Sequence, residues 1–178
     1  MKSTQKILLF CITLLLLNCS EKEDMPTILF SKDIVIGTFD IQNIDEEIEA
    51  TVITSDIEVE VSNTKSTADT FEVSFILNND NSYTASGKYR KISTVSPTGQ
   101  SSTTSATIIV FSDSGTFSVD ENENTITFFA TTQEFLNGTY LVADFEEDSF
   151  TLQKETVTVD AQITSTSNLE ITFSEIVE

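Results

Sequence analysis

An all-β fold follows from three observations in this sequence: a closed antiparallel meander β-barrel of about eight to ten strands, with a two-sheet β-sandwich as the alternative. Apolar residues recur with a period of two in segment after segment. Turn-forming clusters separate those segments at short intervals. No stretch beyond residue 18 carries convincing helical spacing, residues 132–137 having room for one turn and no more.

Taken in chain order, residues 36–41 open the pattern. Between residues 48 and 61 the apolar positions change phase, from Ile48, Ala50 and Val52 to Ile53, Ile57, Val59 and Val61. A slip of one residue turns a strand over, so a bulge or bend is expected near residues 54–56. Phe71, Val73, Phe75 and Leu77 then share a strand face, with Glu72 and Ser74 opposite. Tyr83, Ala85, Gly87 and Tyr89 alternate likewise with polar residues. Between these runs Asn78, Asn79, Asp80 and Asn81 have hairpin-turn composition, which pairs the two strands antiparallel. Residues 93–105, rich in Ser and Thr around Pro97 and Gly99, read as the longest mobile loop. Alternation resumes at Phe117, at Ile126 and Phe128, at Tyr140 and Val142, at Phe150 and Leu152, at Val157 and Val159, and at Leu169, Ile171 and Phe173. Residues 120–124, 146–148 and 165–168 supply the turns between them.

The N-terminus carries an address. Lys2 and Lys6 precede an apolar run over residues 7–17, too short at ~1.5 Å per residue to cross a ~30 Å hydrocarbon core. The run closes on Leu16-Leu17-Asn18-Cys19, which resembles the lipobox of a bacterial lipoprotein signal. That resemblance implies a signal peptide over residues 1–18, lipidation of Cys19 and attachment to the membrane through acyl chains. Residues 19–31 form the acylated cysteine and a polar tether, and residues 32–178 the barrel domain. The acidic stretch after Cys19 resembles the export signals of surface lipoproteins, which implies the outer membrane and its outer face, with the periplasmic face as the alternative.

Removing residues 1–18 removes two lysines and no acid, leaving seven basic against 29 acidic residues and a net charge of −22. Such a field repels nucleic acid, so no nucleic-acid partner is expected. The chain has no His, and beyond the signal its only Cys is Cys19. Nucleophile–His–acid catalysis, thiol chemistry, His/Cys metal sites and disulfides are thereby excluded. Glu58 and Glu60, or residues 146–148, are the nearest approach to the paired carboxylates of glycoside hydrolysis, but they fall on a polar strand face and in a turn. Residues 78–81 and 120–124 hold oxygen ligands without EF-hand spacing, and turn formation accounts for both. No enzyme activity, cofactor or metal is expected.

Only five glycines occur, and three begin the phrases Gly37-Thr38-Phe39, Gly115-Thr116-Phe117 and Gly138-Thr139-Tyr140. Positions i and i+2 share a strand face, so each glycine is expected to leave room beside a large ring. Together with the 75–84 hairpin, the 124–128 strand and a closing Ile171-Thr172-Phe173, these phrases resemble the lipocalin-like lipoproteins of the Bacteroidetes, with Phe39 where that group favours Trp and Asn81 where it favours Gly. The resemblance implies a barrel interior that takes up a small apolar or amphipathic ligand. Phe71, Val73, Phe75, Tyr83, Tyr89, Phe117, Ile126, Phe128 and Tyr140 are the inward candidates, each of which also suits plain core packing. The alternative function is a non-catalytic structural module that docks to another envelope protein or a glycan.

Overall fold

The computed structural model describes residues 29–132 and 135–176. Residues 1–18, Cys19 and the tether up to residue 28 lie outside them, as do part of the 132–137 stretch and the last two residues. Eight strands make up the fold: β1 Gly37–Thr54, β2 Ile57–Leu77, β3 Ser82–Pro97, β4 Thr103–Asp120, β5 Thr125–Ala130, β6 Gly138–Ala143, β7 Ser149–Asp160 and β8 Ile163–Glu175. Each pairs antiparallel with the next, and β8 returns to β1, so the meander closes into a barrel. A 3₁₀ turn, Lys32–Val35, leads into β1 and buries Val35. Phe30, within the expected tether, is also buried and packs on Phe145 at 5.5 Å between ring centroids.

The lower half of the barrel is solid, because the period-two alternation sends its large side chains inward. The Phe75 ring lies 4.7 Å from Phe173 and 6.1 Å from Phe128, and Phe150 stacks on Phe173 at 5.0 Å. Phe39, Leu77, Tyr83, Ile126, Leu152 and Ile171 complete this floor, each almost fully withdrawn from solvent. Two glycines allow the strands to close around it. A Cβ on Gly115 would stand 2.2 Å from the Phe129 carbonyl oxygen and 3.0 Å from the Tyr83 ring. One on Gly87 would meet the Glu72 carbonyl at 2.1 Å, where the β2–β3 register breaks between Asp69 and Glu72. The ring beside Gly115 is therefore that of Tyr83 on the neighbouring strand, not Phe117 two residues on, whereas a Cβ on Gly37 would meet its own Phe39 ring at 3.3 Å.

Three boundaries differ from expectation. The phase change between residues 48 and 61 is a chain reversal: Ser55 and Asp56, with φ of 52° and 63°, form a two-residue hairpin turn closed by the Thr54–Ile57 pair. The bulge lies lower, where the register shifts between Ala50 and Thr51. The expected loop over residues 93–105 is mostly strand, since β3 runs to Pro97 and β4 begins at Thr103. Residues 165–168 are internal to β8, and the turn falls at Ala161, whose φ is 55°, and Gln162. In the last two cases polar Ser/Thr runs are strands because their backbones are paired, residues 93–95 with β2 and β4 and residues 165–168 with β1 and β7, while their inner faces look into a space that is not apolar.

That upper interior arises from unequal strand lengths. β5 and β6 are six residues each, while β1 to β4 have 16 to 21. Pairing of β4 with β5 begins only at Gly115, and pairing of β6 with β7 stops at Gln153. Above that level the wall is a curved six-stranded sheet, β4-β3-β2-β1-β8-β7, with a gap between its two edges.

Candidate functional site

The inward positions change character on passing from the floor to this cup. On β1 the sequence Ile41, Ile44, Glu46 continues inward from the aromatic core, and Glu46 is paired across to Ser66 on β2 and Leu169 on β8. The alternation Tyr83, Ala85, Gly87, Tyr89 continues on β3 to Lys91, which therefore also points in. Its ammonium donates to Glu46 Oε2 at 2.6 Å, and both side chains are largely shielded from solvent. Ser167 donates to the other Glu46 oxygen at 3.4 Å, and Ser66 shares a 2.9 Å hydrogen bond with Ser93. Higher still, the register aligns Ile48 with Thr64 and Ser167, and Ala50 with Ser62 and Ser165. The cup is thus walled largely by hydroxyls above one ion pair.

A cavity of about 140 Å³ lies at this junction. Ile44, Ile171, Leu169 and Phe135 give it apolar sides, while Tyr89, Glu46, Lys91 and Ser66 give it a polar one. Burial, and then the Glu46 carboxylate, push the Tyr89 phenol above its ordinary pKa. An aromatic tier separates the cavity from the gap between β4 and β7: Tyr89 sits 6.1 Å from Phe111, and Phe135 stacks on Phe111 at 4.2 Å.

Phe135 is held there by Asp113. This carboxylate, buried on β4, accepts from Thr132 Oγ1 and Ser114 N at 2.8 Å each, from Leu136 N at 3.4 Å and from the Tyr83 hydroxyl at 3.3 Å. Burial alone would raise the Asp113 pKa, but the donors around it, led by the Thr132 hydroxyl, hold it below the usual carboxylate value. The Tyr83 phenol is pushed far up by burial and then by the same carboxylate. Lys154, inward on β7, donates to the Asn137 carbonyl at 2.6 Å and rests 4.9 Å from the Tyr140 ring centroid. Both ends of the β5–β6 connection are thereby pinned across the short side of the barrel.

Of the residues expected to face inward, Phe75, Tyr83, Phe117, Ile126, Phe128 and Tyr140 are buried in the floor. Val73 is buried at its edge, and the half-buried Phe71 packs 6.1 Å from Tyr89 at the β2 bulge. Only Tyr89 among them lines the interior cavity. Sequence reasoning missed Glu46, Lys91, Phe111 and Phe135. The first three were reachable by extending the alternation, and Phe135 was not, because it reaches the interior from a connection. A groove of about 670 Å³, lined by Asp45, Glu47, Lys65, Glu155 and Glu170 and edged by Leu141, shares Glu46, Ser66, Thr67 and Leu169 with the interior cavity. Among the described residues no group of three or more acidic side chains is arranged to hold a metal ion, and no helix is long and apolar enough to cross a membrane. Comparison with family models, curated proteins and solved structures finds no match.

Proposed function

We propose that this chain is an envelope lipoprotein, attached to the outer membrane through Cys19, whose barrel binds a small amphipathic ligand in its upper half. The observation that carries the reading is the 140 Å³ cavity, which has an apolar side at Ile44, Ile171 and Phe135 and a charged one at Glu46 and Lys91. At ~30 Å³ per water, that space corresponds to about four or five waters. It suits the apolar part of a compact molecule whose polar end meets the ion pair and the hydroxyls above. A long acyl chain has no room below, where the aromatic floor is close-packed.

Native mass spectrometry of the protein from its host, joined to an NMR titration of the full chain with short-chain carboxylates, amines and alcohols, tests this. A retained small mass, or shifts centred on Tyr89 and Lys91 that vanish in Lys91→Met, is the expected result. A bare mass with no perturbation of those residues would end the binding proposal. For the anchor, labelling with a fatty-acid analogue should mark the wild type and not Cys19→Ser; an unlabelled wild type would refute attachment.

A further inference from the structure

We propose that the upper edge of β4, which no strand among the described residues pairs with, is a homodimerisation strand, which pairs antiparallel with the same edge of a second copy of this chain. Its hydrogen-bonding direction is set by the segment below. The carbonyls of Ser114 and Ser112 point away from β3, toward the β5–β6 connection, where they accept from Thr131 N at 2.8 Å and Thr132 Oγ1 at 3.4 Å. In an antiparallel ladder alternate residues direct both backbone groups to the same side. Val110, Ile108, Ala106 and Thr104 therefore present their N–H and C=O groups to that side too, above the last residue that β5 pairs with.

Charge selects the occupant. Residues 92–112 contain no Asp, Glu, Lys or Arg, in a chain whose net charge is −20. Along this strand a second copy of an acidic chain meets no charge, and the β3 neighbours of Val110 and Ile108, Lys88 and Arg90, are each paired to an acid of β2. Natural sheets guard their edges with lysines, prolines, bulges or inward charges, and residues 103–112 carry none of these. The facing edge, the upper part of β7, is guarded, with Lys154, Glu155 and Asp160 along it. On the outer face of β4, Ile108 and Val110 are 57% and 74% exposed, and antiparallel self-pairing sets these β-branched side chains against their symmetry mates. A two-fold arrangement uses the same patch on both copies, so the contact closes at the dimer.

Sedimentation equilibrium of the full chain in detergent, over a range of concentrations, should give a mass of two chains at the high end. Hydrogen exchange on the same samples should show Ala106, Ile108 and Val110 amides gaining protection with concentration, while residues 156–159 on β7 do not. Ile108→Lys and Val110→Lys should weaken the dimer at least about tenfold, because a charge on the edge opposes pairing. Ile53→Lys, at an equally exposed apolar position on β1, should not. A chain that stays monomeric, a dimer indifferent to both β4 substitutions or equally broken by Ile53→Lys, or protection of these amides independent of concentration would each overturn the proposal. None of these readouts needs the barrel's ligand.

Discussion

Asp113→Asn should destabilise the protein by about 3 kcal/mol, because a buried carboxylate that serves donors on three segments becomes an amide with one acceptor. One carboxylate oxygen receives Thr132 Oγ1 at 2.8 Å and Ser114 N at 2.8 Å; the other receives Leu136 N at 3.4 Å and the Tyr83 hydroxyl at 3.3 Å. The amide keeps the first oxygen and turns an NH₂ toward the second pair. Tyr83 has a second acceptor in the Leu136 carbonyl at 3.3 Å, but the Leu136 N–H, in a fully buried residue, is left without a partner. Such an orphan costs about 1–3 kcal/mol, and losing the charge weakens the two short bonds by about another 1 kcal/mol. For a domain of this size that corresponds to a Tm lowered by roughly 6–12 °C. Urea unfolding followed by circular dichroism reads the change directly. A loss below about 0.5 kcal/mol, the range of an indifferent surface substitution, would refute the assignment of Asp113 as the anchor of the β5–β6 connection. The pH dependence has a definite sign. The folded Asp113 pKa lies below the unfolded one, so its contribution is complete above the unfolded value of about 3.9 and is lost as the pH falls through the folded value. Asp113→Asn should remove that share of the acid sensitivity.

Gly115→Ala places a methyl 2.2 Å from the Phe129 carbonyl and should cost about 2 kcal/mol by forcing β4 and β5 apart; a urea midpoint equal to wild type would show that the strands yield freely. Thr70→Gly should stabilise by about 1 kcal/mol, since Thr70 holds a β-branched side chain at φ 55° at the β2 bulge, and a lowered melting temperature would contradict that strain. Phe75→Ala empties the centre of the floor against Phe173, Phe128 and Tyr83, and should cost about 3–5 kcal/mol in chemical unfolding. A cost near 1 kcal/mol would mean that the floor collapses into the space.

The lower half of the barrel was legible residue by residue. Phe71 to Leu77 and Tyr83 to Tyr89 alternate because one face meets rings and the other meets water, and a period of two shows wherever that contrast exists. The turn at residues 78–81 was legible for the same local reason, with the Asp80 carboxylate accepting from Ser82 N at 2.9 Å. The cup was not legible as strand. Ser93, Ser165 and Ser167 face inward from ladders as regular as those below, yet their composition is that of a loop. Nothing in one strand's sequence tells whether its inner face looks onto a core or into a polar space. The Glu46–Lys91 pair was hidden by distance along the chain, since its partners are separated by 45 residues and meet only across β2.

Strand character in the lower half, the aromatic floor and the turn at residues 78–81 depend on neighbours within a few residues, and each is written in the local order of side chains. Closure of the ring, the height at which β5 and β6 stop, the exposed edge of β4 and the meeting of Glu46, Lys91 and Phe135 depend on which strands lie side by side. They were decided in the folded chain, because register and strand length set them together and no single segment carries that information.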